Sequence, residues 1–531
     1  MYVTVPIMND PFSQRGMDYF ESIYGPCIFG SETRTIPENE CTSLEEEPEI
    51  CGWIRFQGID LPVIFAPNQI PEEGEPICTY RSPDEQCHCI LRTEEGIRFS
   101  INIFRHIGFF LSGEMELILK KDEGLRRKMV QHPFTDLYAR VFFDAIRDMY
   151  LDAAIPFAST VLWPDGKSYA VCLTHDVDEI KKKYQWITHP IRCIKQRDRE
   201  GLSNQIASFR QKLSGSEPYW TFNDIIRMER EAGGCSSFYF LCENADFIAY
   251  DSKTWHHLNR KYDWHDEHIA EVIRQLYMEG WEVGLHGSFH SYDCADKLAE
   301  EKNSLEQVLG ESVRGGRQHN LNLLIPKTWC IHESLDMMYD TTLGYNDCIG
   351  FRWGTCFPFS PYDSEQNRMM KLLEIPLIIE DLPFFREKDV WDAFIRINKQ
   401  IEDVGGVLTL LWHHSVLNAT EFPVWTECYQ RILAHCRARN AWITSAEKIA
   451  KWWLSRSRIQ YRIVAADRDR MIFSCEQDQS PSVHIDLPTG VRIAMMENAE
   501  IIHSSPNRQT IRLNSMKNGK EVILTFQEDV N

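Results

Sequence analysis

Three short stretches bring together side chains that can bind a cation or move a proton. "THDVD" (174–178) places Asp176 and Asp178 two residues apart where the apolar run "SYAVCL" ends, "LHGSFH" (285–290) places His286 and His290 four apart, and "LLWHHSV" (410–416) carries His413 and His414. Ionised carboxylates at the end of a buried strand are costly unless a cation compensates them. Two imidazoles four residues apart share a face if the strand end turns into a helix. With one carboxylate from Asp176 or Asp178 they make a set of two His and one Asp that leaves room for water, the donor set of a catalytic divalent metal. The remaining aspartate then suits a general base. Arg317 in "SVRGGRQH" can hold that base ionised by charge-assisted hydrogen bonds, and His413 can supply a proton to a leaving group. Taken singly, His286 reads as a satisfied core histidine, His290 as a solvated helix residue, and Arg317 and His413 as packed or ion-paired groups. The coincidence of the histidine pair with "HDVD" turns the reading to metal.

Such chemistry needs distant segments delivered to one place. From about 166 to 455, short β-like runs ("SYAVCLTH", "SSFYFLCE", "WEVGLHGS", "SVRGGRQH", "LLEIPLII" and "GVLTLLWH") alternate with helical ones. That is the signature of βα units around a parallel sheet or barrel. The helix "DEHIAEVIRQLYMEG" carries Ile269, Val272, Ile273, Leu276 and Tyr277 on one stripe and closes on Gly280. Strand candidates end in Asp176 and Asp178, in His286, in Arg317 and His319, and in His413, and "LLEIPLII" is followed by Glu380 and Asp381. The carboxyl ends of barrel strands share one face, so these groups converge.

Two flanking units are expected. Residues 1–165 read as an α/β or α+β domain, with strands in "WIRFQGIDLPVIFAP" and a helix over 135–154 for which Thr135 is the cap. Residues 456–531 read as short alternating strands split by turns, a small antiparallel β domain. Their roles stay open between binding, positioning and oligomer contact.

Of 531 residues, 78 are Asp or Glu and 57 Lys or Arg, a net charge of -21. This repels phosphate backbones and gives no general attraction to anionic lipid, so no nucleic-acid partner is expected. No run of eighteen apolar residues and no basic-then-apolar leader occurs, so a cytoplasmic protein without a membrane span is the expectation. Seventeen scattered cysteines fit reduced thiols. The cluster Cys78, Cys87, His88 and Cys89 matches no standard zinc spacing.

Together the motifs of residues 166–455 resemble the polysaccharide deacetylases of carbohydrate esterase family four, the NodB-homology group. The resemblance implies a distorted, seven-stranded (β/α) barrel that removes acetyl from N-acetylated sugars or glycans with a divalent metal, zinc first among them. "THDVD" stands for the first motif, and the resemblance makes Asp176 the base and Asp178 a ligand. "HGSFHS" stands for the second, with His286 and His290 as the other ligands. "RQHN" keeps Arg317 of the third but has no Pro-Tyr pair. Asp381 in "IEDLPF" would orient the acid His413, with His414 the alternative, and Leu411 would line the acetyl pocket. His319, together with Arg352 in the segment 339–363, would contact substrate. Two rival readings are a cyclic-amide hydrolase on the same site and a non-catalytic carbohydrate-binding protein. A nucleotide-sugar glycosyltransferase reading of "DVD" leaves the histidines unexplained.

Overall fold

The computed structural model describes residues 2–7, 10–25, 33–37, 48–67, 74–241, 243, 262–457, 461–475, 480–514 and 521–528. At its centre seven strands run parallel: β1 (Ala170–Val177), β2 (Ser237–Leu241), β3 (Glu282–Gly287), β4 (Gly315–Gln318), β5 (Tyr339–Asp340), β6 in two pieces (Leu373–Glu374 and Ile379–Glu380) and β7 (Val407–Leu411). Their order is first piece of β6, β5, β4, β3, β2, β1, β7, second piece of β6. The stretch joining the two pieces bonds to both edges. The Ile375 N–H donates to Asp340 O at 2.9 Å, Leu377 to Leu343 O at 2.9 Å, and Ile378 to Thr409 O at 3.1 Å. One extended segment therefore closes the sheet, and the architecture is a distorted (β/α) barrel of seven strands. A short β8 (Trp442–Thr444) lies along the start of β1.

β1 is buried at every position, because helices cover its outer face while other strands cover the inner one. The helix expected near 266 runs Glu267–Met278, is capped by the Asp266 carboxylate and buries Ile269, Ile273 and Leu276. Tyr277, expected on the same stripe, is exposed. In β4, a Cβ on Gly316 would stand 1.9 Å from the Leu285 carbonyl oxygen of β3. Only glycine lets these two strands approach, and they are the strands that carry His286 and Arg317.

The first unit is a mixed seven-stranded sheet. Thr33–Pro37, Tyr2–Ile7 and Gly96–Phe99 pair in parallel, and Gln86–Thr93, Glu75–Arg81, Gly52–Phe56 and Ile59–Val63 continue it antiparallel. Its longest helix is Phe134–Asp152, with Pro133 rather than Thr135 at the cap. Thr135 is instead buried, its hydroxyl donating to Trp353 O at 2.6 Å, and the next residue, Asp136, accepts from the Cys356 N–H at 2.9 Å. These bonds fasten the segment that follows β5 to the first unit. One continuous apolar core joins that unit to the barrel.

The last module has its own core, around Met471, Phe473, Val483, Ile485 and Leu524, between two four-stranded antiparallel sheets. One of those sheets takes its edge strand, Phe157–Thr160, from the connection ahead of the barrel. The chain thus crosses between units at a point that composition alone placed inside the first.

Because any side chain at Gly316 must push β3 and β4 apart, Gly316→Ala should cost about 1–3 kcal/mol. The chemical-denaturation midpoint measures this, and a midpoint equal to wild type would contradict the close approach.

Candidate metal centre

Side chains alternate along β1, so Thr174 and Asp176 point into the barrel and His175 points out. The ring nitrogens of His175 stand 2.7 Å from the Trp412 carbonyl oxygen and 2.7 Å from Glu229 of the helix Phe222–Ala232. The histidine of "THDVD" is packing beneath the helix layer, not a ligand.

Asp178 follows β1 directly, His286 sits in β3, and His319 immediately follows β4. One ligand atom from each lies within 4.8 Å of the others, the one such group among the described residues. His286 Nε2 is 3.3 Å from Asp178 Oδ1 and 3.4 Å from Asp176 Oδ2, and His319 Nε2 is 3.9 Å from Asp178 Oδ2. Each imidazole is held by its other nitrogen. His286 Nδ1–H donates to the Arg317 carbonyl at 2.9 Å, and His319 Nδ1 is 2.9 Å from the buried Glu243 carboxylate. Such outer partners set tautomer and ring orientation at metal sites.

With its proton on Nδ1, His286 directs a lone pair at two carboxylates. That is repulsive unless a cation or a second proton stands between them. Burial opposes a second proton, yet Asp176 and Asp178 outweigh it and raise the pKa of His286. One carboxylate and two imidazoles, each with Nε2 presented and Nδ1 anchored, fit a divalent ion that keeps open positions.

His290 was expected as the second imidazole ligand. It is exposed instead, its ring edge-on to Phe289 at 5.0 Å. The reason is local. After Gly287 the Ser291 N–H donates to Ser288 O at 3.1 Å and the Cys294 N–H to Ser291 O at 3.2 Å, so the chain makes tight turns and the helix starts only at Ala295. Residues 286 and 290 never share a helical face. His319, expected to contact substrate, instead stands beside Asp178, with its Nε2 3.9 Å from Oδ2, because strand alternation puts it on the same side as Arg317. Glu243, which closes the run "SSFYFLCE", was not singled out. Its signal was a lone carboxylate at the end of a barrel strand.

Arg317 is wholly buried and donates from Nη1 to Asp176 Oδ1 at 2.8 Å and to Thr174 Oγ1 at 2.9 Å, and from Nε to Thr341 O at 3.0 Å. Burial pushes the Asp176 carboxyl up, but His286 and Arg317 outweigh it and hold its pKa below the usual value. His413 rises from the end of β7, on the far side of β1 from β3 and β4. Its Nδ1 is 2.9 Å and 3.1 Å from the two Asp381 oxygens, and its backbone N–H donates to Asp381 Oδ2 at 2.7 Å. Burial opposes charge on this ring, yet Asp381 prevails and its pKa is pushed up to about 10. His414 faces away, stacked on Phe222 at 5.3 Å, and burial lowers it to about 4. Leu411 is buried at the end of β7. Burial also lifts the neighbouring Glu380 carboxyl to about 8.

Arg352 lies further out. Its Nε is 2.7 Å from Glu116 of the first unit and its Nη1 donates to Gly344 O at 3.1 Å. It lines a cavity of about 480 Å³ with Lys120, Arg126, Tyr345 and Leu321. Leu321 belongs to the turn His319–Leu321, so this cavity adjoins the segment that carries His319.

No family model matches the chain, and no curated protein matches it. Among solved structures the chain is similar to a putative polysaccharide deacetylase from Mycobacterium smegmatis, at 17% identity over 56% of this chain and 94% of that one, with a TM-score of 0.37. It is also similar to a probable polysaccharide deacetylase from Pseudomonas aeruginosa PAO1 (13% identity, 56% and 95% covered, TM-score 0.36) and to Puue allantoinase (13%, 55% and 92%, TM-score 0.35). These likenesses are distant, and the chemistry of the site rests on its own geometry.

His319→Ala should abolish retention of zinc through gel filtration, and Glu243→Ala should weaken zinc affinity by about 10–100-fold. His290→Ala should leave both unchanged. Elemental analysis decides, and zinc loss in His290→Ala with retention in His319→Ala would reverse the assignment.

Proposed function

We propose that the protein is a metal-dependent hydrolase that removes acetyl from an N-acetylated sugar or glycan. The observation that carries this reading is the convergence, from five strand ends, of a ligand set, a guanidinium-held carboxylate and a carboxylate-held imidazole.

Asp178, His286 and His319 would hold the divalent ion. When bound, the ion supplies a Lewis acid for the acyl oxygen and acidifies water at neutral pH. Asp176 accepts the proton of the attacking water, and Arg317 keeps that carboxylate ionised and aimed. His413, charged and held by Asp381, donates a proton to the departing amine nitrogen from the other side of β1. An amide needs both services, since its nitrogen leaves only when protonated. Leu411 closes the acetyl end of the pocket, and the cavity beside Arg352 and Tyr345 takes the rest of the sugar.

The purified protein, loaded with zinc, should release acetate from one or more members of a panel of N-acetyl sugars. Asp176→Asn should lower kcat/KM by about 10²–10⁴-fold while bound zinc stays constant. Unchanged turnover in that variant would remove Asp176 as the base. Ring opening of cyclic amides without acetate release would transfer the same machinery to a different bond. Zinc bound in full without hydrolysis of either class would leave a binding protein.

A further inference from the structure

The two helices that follow β1 are packed inside out. In Arg199–Leu213 the buried residues are Gln205 and Ser208. Ile206, Phe209 and Leu213, spaced along one stripe, are 50%, 52% and 71% exposed. In the preceding helix, Gln185–Gln196, the buried residues are Gln185 and Cys193, while Ile187, Ile191 and Ile194 at steps of four and three are 60%, 45% and 63% exposed. Trp186 lies edge-on to Phe209 at 5.9 Å and links the two stripes.

A polar anchor holds this inverted hairpin down. Glu421, from the segment after β7, accepts from Lys182 Nζ at 2.7 Å, Ser208 Oγ at 2.8 Å and Gln205 Nε2 at 3.1 Å, and His189 Nδ1 is 3.0 Å away. Lys182 and Glu421 are fully buried and mutually compensated. The hairpin is thus seated through its polar side, which leaves six large aliphatic and aromatic side chains in water. An apolar patch of this size marks an interaction surface.

Charge identifies what covers it. Residues 181–213 hold nine Lys and Arg against two Asp and Glu, eight when Lys182, buried against Glu421, is set aside, in a chain that holds 57 against 78. Arg192, Lys195, Arg197 and Arg199 are exposed beside the apolar stripes. Apolar side chains flanked by cations are the pattern of a helix that lies in a membrane interface. The overall negative charge of the chain does not forbid this, because fields are screened within about 8 Å at physiological salt and only the local charges count at contact. A second copy docking through the same face would set cations against cations.

We propose that this hairpin docks the protein on an anionic lipid surface, the stripes of Ile187, Ile191, Ile194, Ile206, Phe209 and Leu213 entering the head-group boundary and the flanking cations meeting lipid phosphates. Gln185 is seven residues beyond Asp178, so a docked hairpin is tethered by a short segment to the end of β1. The inference does not depend on the hydrolase reading.

The test is co-sedimentation of the full chain with vesicles of phosphatidylcholine alone and of phosphatidylcholine mixed with phosphatidylglycerol. The chain should bind the mixed vesicles, progressively less as salt rises. Arg192→Glu with Lys195→Glu should lower the partition coefficient at least about tenfold. Ile191→Asp with Phe209→Asp should do so too, and both variants should keep the wild-type circular dichroism and melting temperature because these side chains are exposed. No binding to mixed vesicles, or equal binding by the variants, would overturn the proposal. So would a wild-type dimer that Ile191→Asp with Phe209→Asp dissociates, which gives the face to a second copy, or binding to polyglutamate in place of vesicles, which gives it to an acidic protein.

Discussion

Arg317 is the group on which the barrel mouth depends. A guanidinium wholly inside a protein is tolerable only if its charge is met. Here Asp176 meets the charge, and Thr174 and the Thr341 carbonyl take further donors. The same residue acts through its backbone as well, because its carbonyl oxygen accepts from His286 Nδ1 and so turns Nε2 toward the aspartates. Two residues on, His319 brings a third possible ligand atom within 4.8 Å of those of Asp178 and His286. One short strand therefore holds Asp176, orients His286 and leads directly into His319, and Gly316 lets it lie close to β3.

Four buried charges each face an opposite partner. Asp176 faces Arg317, His413 faces Asp381, His319 faces Glu243, and Lys182 faces Glu421. The carboxylate pair at the end of β1 lies against His286 Nε2, 3.4 Å from Asp176 and 3.3 Å from Asp178. Burial then separates the roles of chemically similar groups: His413 is driven toward the charged form by Asp381, while desolvation drives His414, its neighbour in sequence, to the neutral form.

The flanking units differ in how they relate to this centre. The first shares a core with the barrel and places Glu116 and Lys120 on the rim of the cavity beside Arg352. The last keeps a separate core and joins the body through a strand borrowed from the connection at 157–160. No helix among the described residues is long and apolar enough to cross a membrane.

The barrel itself was legible in the sequence, because alternation of β-like and helical runs is local and strand ends rich in Asp, His and Arg stand out against apolar runs. That Arg317 could hold one of the two strand-end aspartates followed from charge and placement, whereas the pairing of Asp381 with His413 was implied by the family resemblance. What the sequence could not decide was which two histidines meet. His286 and His290 look paired because a spacing of four suits a helix, but hydrogen bonds in the turn 288–294 break that face. His286 and His319 meet instead because β3 and β4 are neighbours in the sheet. Pairing between strands is a long-range choice made by the whole barrel, and no local pattern encodes it. The hairpin of 185–213 is the converse case. Its apolar periodicity and its cations are plain in the sequence, yet only the tertiary structure shows that the polar side, drawn to Glu421, is the one turned inward.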